Sequence, residues 1–276
     1  MSHSLAIRPL QFHIAFYRFV PLAAPDEVVD ALRQLTVGLL GSVLVAPEGI
    51  NGVLAGTAES LDRFEQVLTS PACCAGAFGG MAFKRSACST MPFARLKIHR
   101  KDEIVALGLG PAHPAARGGI TVTPQQWRAL LADEDVVVID NRNSFEFRLG
   151  RFHRAIDPQV DTFRDFSAYL TAHAPQWRAT GKKIAMYCTG GIRCEKTSAS
   201  MPDLGIDLYQ LDGGILNYFQ SMDDAAKDWN GECFVFDNRI ALDTALQETA
   251  TTAAEVYHDP ADAWRLARAL RLDRDA

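Results

Sequence analysis

A chain of 276 residues has room for two domains, and 48% apolar with 22% charged residues is enough to build a sizeable core. The net charge of −5 gives the whole molecule no general attraction for nucleic acid, so DNA is not an expected partner. No apolar run approaches the roughly 20 residues of a membrane helix, and MSHSLAIRPLQFHIAFYRFV lacks a basic segment feeding an apolar one, so neither a membrane nor a signal peptide is expected and the cytoplasm is the expected location.

The first elements alternate as strand, helix, strand, strand, helix, strand. FHIAFYRFV (12–20) reads as a strand. APDEVVDALRQLTVGLL opens with Pro25 and acidic residues and spaces Val28, Val29, Leu32 and Leu35 as a helix. GSVLVAPEGINGVLAGT holds two apolar runs about a Pro-Glu-Gly-Ile-Asn-Gly turn whose residues tolerate positive φ. AESLDRFEQVLTS returns to a helical pattern, and FARLKIH alternates as the closing strand. That order predicts a ferredoxin-like α/β sandwich within an N-terminal domain of residues 1–105.

Lys84, Arg85, Arg95, Lys97, His99, Arg100 and Lys101 fall in one stretch without an acidic residue. In ARLKIHR, alternation sets Arg95, Lys97 and His99 on one strand face and turns Leu96 and Ile98 to the core. A basic row on a sheet, with Phe83 and Phe93 near it, suits RNA phosphates and a splayed base, with an affinity that weakens as salt rises. The plainer alternative is a solvated strand face.

ALGLGPAHPAARGGI (106–120) is rich in Gly, Pro and Ala and reads as a linker. Beyond it, over residues 121–242, strands and helices alternate. Thr123-Pro124 caps QQWRALLA, DVVVID (135–140) is a buried type of strand, and DTFRDFSAYLTAHA is amphipathic. KKIAMYC is a second central strand, EKTSASMPDLG a short helix stopped at Gly205, DLYQLDGG a third strand and ILNYFQSM a helix. Repeated β-α units predict a parallel sheet covered on both faces, with ligands at the carboxyl ends of its strands. Residues 243–276 form an extension, ending in DPADAWRLARALRLD as a docking helix.

Cys188 stands at such a strand end. Thr189, Gly190, Gly191, Ile192 and Arg193 then close a tight turn onto a helix start. Backbone N–H groups in a turn of this kind favour negative charge at its centre, Arg193 adds a cation, and the Cys188 thiol is predicted to ionise readily. The spacing is C-x4-R. Cysteine phosphatases use C-x5-R to ring a phosphate, and the shorter loop suits a smaller group such as a persulfide sulfur. The alternative is a glycine turn with an incidental cysteine.

Of the six cysteines, Cys73, Cys74, Cys88 and Cys233 read as free and packed, and none forms a CxxC pair or has His at zinc spacing. Cys194 either resolves an oxidised or persulfidated Cys188 or packs against the sheet. No H-x-[DE] pair supports an iron site and no G-x-G-x-x-G a flavin or nicotinamide site, so no metal and no cofactor is expected from the sequence.

DNRNSFEFRLGRFHRAIDP (140–158), MYCTGGIRC and LDGGILNY (211–218) together resemble a rhodanese domain, in which Asp140, Arg142 and Glu146 match the first motif and Cys188 to Arg193 the active-site loop. Arg154 stands where rhodaneses commonly carry Gly. VLVAPEGINGVLAG (43–56), PFARLKIHRKDEIVALG (92–108), DTFRDF (161–166), CTGGIRCEKTSA (188–199) and WNGECFVFDNRIAL (229–242) narrow the likeness to the bacterial tRNA uridine hydroxylases, over most of residues 12–242. That resemblance implies oxygen-dependent conversion of the tRNA wobble uridine to 5-hydroxyuridine, with molecular oxygen as co-substrate and Cys188 essential. Many members of the family continue into a cysteine-rich tail, whose role this chain, ending in the Asp259–Ala276 helix, is expected to lack or replace.

The residues alone lead elsewhere. Hydroxylation with oxygen normally uses a metal or flavin, and a lone reactive loop cysteine predicts a thiosulfate or persulfide sulfurtransferase. A third reading is an RNA-binding or redox-sensing module that keeps the loop as scaffold. The basic segment and the N-terminal motifs favour the hydroxylase.

Overall fold

The computed structural model describes residues 11–112 and 118–274. Residues 1–10, scanned above for a leader, the centre of the Gly/Pro segment (113–117) and the end of the terminal helix (275–276) lie outside the described residues. The chain divides into two compact units, the first ending at Ile104 and the second beginning at Val105.

In the first unit β1 (Gln11–Phe19), α1 (Pro25–Leu35), β2 (Leu40–Ala46), β3 (Gly49–Thr57), α2 (Ala58–Leu68), β4 (Lys84–Cys88) and β5 (Leu96–Arg100) follow in order. The strands make one sheet ordered β4-β1-β3-β2-β5. Strand alternation turns Ile14, Phe16, Val43, Val45 and Leu54 to one face, where Val28, Val29 and Leu32 of α1 and Leu61, Phe64 and Leu68 of α2 bury them. The ferredoxin-like frame is present, with one correction. The strand that closes it beside β1 is β4, and the expected closing strand FARLKIH becomes β5, an added strand parallel to β2 on the far edge. KRSAC has too little apolar alternation to announce a strand, and its ladder to β1 makes it one.

The basic segment is thereby divided rather than continuous. Lys84 and Lys97 share the face opposite the helices, in register with Ala15 and Ser42, but sit on opposite edges four strand spacings apart, roughly 19 Å. Arg85 stands opposite Ile14 on the helix-covered face and pairs at 2.7 Å with Asp62 and with Glu65. Arg100 lies 3.9 Å from Asp26, while Arg95 and Lys101 are exposed.

In the second unit β6 (Ile120–Val122), α3 (Pro124–Ala132), β7 (Val136–Asp140), α4 (Ser144–Leu149), β8 (Gly150–Phe152), α5 (Phe166–Thr180), β9 (Lys183–Tyr187), α6 (Ile192–Ser200), β10 (Leu208–Leu211) and α7 (Gly214–Ser221) come next. The parallel sheet is ordered β6-β10-β9-β7. Trp127, Ile215 and Phe219 from α3 and α7 cover one face, and Phe166, Leu170 and Cys194 from α5 and α6 the other. The described part of the expected linker is held to this unit. Leu107 is buried among Phe166 and Leu170, and Lys196 donates to the Gly110 carbonyl at 2.6 Å.

Beyond α7, β11 (Trp229–Gly231) pairs antiparallel with β8, β12 (Cys233–Phe234) and β13 (Ala241–Leu242) form a hairpin, and α8 (Ala253–Val256) and α9 (Ala263–Arg274) end the chain. The extension docks on α4. Val256 and Tyr257 pack with Phe145 and Phe234, Arg148 pairs with Asp262, and Arg265 lies 4.8 Å over the Phe145 ring. Arg154, at the position where glycine is the usual choice, has a φ of 63°. That conformation costs a residue with a Cβ ~1–2 kcal/mol, against which its guanidinium donates to the Leu131 and Asp133 carbonyls at 2.8 and 3.3 Å.

Phe152 centres the core under the sheet, its ring 4.8–5.6 Å from those of Tyr187, Tyr218, Trp229 and Trp127. Phe152→Ala is expected to cost about 3–5 kcal/mol in urea unfolding; a loss below about 1 kcal/mol would show that this ring cluster is not a core.

Candidate active site

The loop between β9 and α6 is shaped from three sides. Gly191 takes a left-handed φ of 99° as the residue before α6, and its N–H donates to Cys188 Sγ at 3.1 Å. From α7, Ile215 and Leu216 donate their N–H groups to the Cys188 and Thr189 carbonyls at 3.0 and 3.1 Å. Gly214 makes this approach possible. Its φ is +67°, and a Cβ there would stand 2.4 Å from the Cys188 carbonyl oxygen. The sequence motif LDGGILNY carried that residue, but only the packing shows its purpose.

The third side is charged and dry. Arg193 donates to the Glu146 carboxylate through both terminal nitrogens, at 2.9 and 2.8 Å, with Glu146 fully buried and Arg193 8% exposed. Glu146 is fixed by its place in the first turn of α4, where it also accepts the Asn143 N–H at 3.1 Å. Deeper in, Asp140 holds Arg142 through Nε at 2.9 Å and Nη2 at 2.6 Å and accepts the Tyr187 hydroxyl at 2.6 Å. Arg142 also donates to the Gly150 carbonyl at 2.6 Å and lies over the Tyr187 and Trp229 rings. Burial works against both charges and raises the Asp140 pKa, while the Asp140 charge and hydrogen bonds hold the Arg142 pKa well above its ordinary value despite burial.

The structure therefore brings Cys188, Thr189, Gly190, Gly191, Ile192, Arg193, Cys194 and Glu146 into one site, with Asp140 and Arg142 as its floor. Two features bear on the chemistry. Cys188 is 1% exposed, so its replacement touches packing as well as chemistry. Arg193 is committed to Glu146, and its field reaches the thiol as a partly compensated charge.

Burial alone would raise the Cys188 pKa. The hydrogen bond from the Cys194 thiol, the Arg193 charge and the N–H groups of Cys194 and Arg193 outweigh it and bring the value from 9.0 down to about 6. Cys194 moves the other way. Burial and its bond to Cys188 push its pKa well up, so it keeps its proton and shares it. Asn141 completes that side, donating to Thr197 Oγ1 at 3.1 Å with Cys194 Sγ at 3.9 Å. Cys233, beneath, is a core thiol raised by burial to about 12. The Thr189 hydroxyl is buried without a hydrogen-bond partner among the described residues, a donor left over inside the loop.

Phe236 lies against the loop's cation, with the Arg193 guanidinium 5.8 Å from its ring centre. Among the described residues no three His, Cys, Asp or Glu side chains gather as a metal site, and no helix is long and apolar enough to cross a membrane. What the arrangement offers is a thiolate at neutral pH buried within the loop, of the kind that attacks a soft electrophile or is oxidised. Cys194→Ala removes one of the interactions that keep Cys188 ionised. Its alkylation by iodoacetamide at mildly acidic pH should slow severalfold as the thiol pKa rises, and an unchanged pH profile would contradict the role given to Cys194.

Comparison with known proteins agrees with this geometry. The UPF0176 acylphosphatase like domain matches residues 12–104 and the Rhodanese-like domain matches residues 123–221. A protein of Synechococcus elongatus named tRNA uridine(34) hydroxylase is 48% identical over 238 residues, spanning 85% of this chain and 86% of that one. One of the same name from Brucella ovis is 42% identical over 85% of this chain and 76% of its own. With a relative this similar along both domains, and with the loop that the resemblance required in place, the chain belongs to the tRNA uridine(34) hydroxylase family.

Proposed function

We propose that the protein hydroxylates the wobble uridine of tRNA at C5, with the Cys188 thiolate as its reacting group and molecular oxygen as the source of the new oxygen atom. The observation that carries this reading is the thiol held at a pKa of about 6 inside the loop of a chain with relatives of that name. A thiolate adds readily to a polarised double bond, and C6 of uracil is such a centre. Addition there makes C5 electron-rich, and expulsion of the thiolate afterwards restores both the ring and the enzyme. Conversion of C5–H to C5–OH by oxygen releases the second oxygen atom as water and consumes two electrons and two protons from a donor.

The other residues serve that step without reacting. Glu146 and the N–H groups of the loop keep Arg193 and Cys188 in place. The unpartnered Thr189 hydroxyl is a donor for a bound group next to the sulfur. Lys84, Lys97 and His99 on the face opposite the helices, with exposed Arg95 and Lys101, supply phosphate contacts. Arg100, exposed and 3.9 Å from Asp26, joins them, while Arg85 is held by Asp62 and Glu65 at 2.7 Å.

The same loop supports a second chemistry, in which Cys188 carries a sulfane sulfur and transfers it. The test separates them. In cells lacking the protein, nucleoside mass spectrometry of tRNA should show 5-hydroxyuridine or its derivatives returning with the wild-type gene and not with Cys188→Ala. A change confined to a thiolated nucleoside would establish the sulfurtransferase instead.

A further inference from the structure

Phe236 is 62% exposed, although its neighbours in sequence are among the most buried of the unit: Phe234 at 3%, Val235 at 5% and Arg239 at 6%. It sits on the connection between β12 and β13, which is stiff. The Val235 N–H donates to the Ile240 carbonyl at 2.9 Å, and Arg239 grips Asp237 through Nε at 2.8 Å and Nη2 at 2.7 Å, in a pair that is nearly all buried. Edge-on contacts to Phe234 at 4.9 Å and Phe145 at 6.5 Å fix the plane of the ring. The exposed aromatic is therefore held, not floppy.

Its position gives it a use. The Arg193 guanidinium that lies 5.8 Å from the ring centre is the one whose charge lowers the Cys188 pKa, so an exposed ring adjoins the cation of the reactive loop. Trp264, also exposed, has the Arg265 guanidinium 4.3 Å over its ring, whereas the cation at Phe236 belongs to the reactive loop itself. A held, exposed aromatic face next to the loop that carries the nucleophile is what a base turned out of its stack needs on entering. Proteins that handle unstacked nucleotides hold each base on such a face.

We propose that Phe236 is the stacking platform for the target uracil, orienting its C5–C6 edge toward Cys188. The role rests on the hydroxylase reading and adds a positioning residue to it. Phe236 takes no part in bond making, and its effect belongs to the base at position 34 rather than to the RNA backbone. A ring that merely packs the hairpin would affect every RNA alike and would disturb the thiol.

The test pairs protein variants with two RNAs, an anticodon stem-loop carrying uridine at position 34 and the same stem-loop abasic there. Full-length wild type is expected to prefer the uridine form by at least about fivefold. Phe236→Ala should lose that preference, and Phe236→Leu, which keeps apolar contact with Phe234 but has no ring, should lose it too. Phe236→Trp should retain it, and all three should keep the wild-type pH profile of Cys188 alkylation. A preference intact in Phe236→Ala and Phe236→Leu, or absent from wild type, overturns the proposal. Failure of wild type to restore 5-hydroxyuridine in cells removes the hydroxylase reading itself, and the platform role with it.

Discussion

The site depends on one buried ion pair, Arg193 with Glu146. Removing two charges from water costs several kcal/mol for each, and the attraction between them offsets this only when both ends are fully hydrogen-bonded. Here the carboxylate meets both guanidinium nitrogens and the Asn143 N–H, so the cost is met locally. The pair ties α4 to the loop at the start of α6, and the route extends outward through α4. Phe145 joins α4 to the cluster around Phe234 and Tyr257, and Arg148 joins it to Asp262 in the C-terminal extension. The extension thus has a physical part in holding the loop that carries Cys188.

The consequence for chemistry is that Arg193 does not activate the thiol alone. Its charge is partly neutralised by Glu146, and the remaining lowering comes from the Cys194 thiol and the N–H groups at the head of α6. Such donors stabilise a thiolate without adding net charge. Cys194 is a poor resolving nucleophile in this state, because its own pKa is pushed well up by burial and by Cys188. It serves better as the donor that keeps its neighbour ionised.

Much of this was legible in the residues. Strand end, two glycines, arginine and helix start placed the loop, because each has a local conformational reason to stand there. Asp140, Arg142 and Glu146 were legible through resemblance, while the pairing of Glu146 with Arg193 was not, since a 47-residue separation leaves no trace in local pattern. Gly214 and Phe236 escaped for the same reason: one is required by a backbone approaching from another element, the other is defined by what it does not bury. In the first unit the layout of the basic run was not legible. Nearness in sequence suggested one surface, and the sheet order placed its two halves on opposite edges.

The account stands on Cys188 being a thiolate at neutral pH within the intact loop. Following thiolate absorbance in the ultraviolet against pH, with Cys188→Ala subtracted to isolate this one sulfur, measures that directly. A midpoint at about 6 is the predicted result. A midpoint near the ordinary 9.0 would mean that burial fully cancels the hydrogen bonds and the Arg193 charge, and would contradict the mechanism built on them.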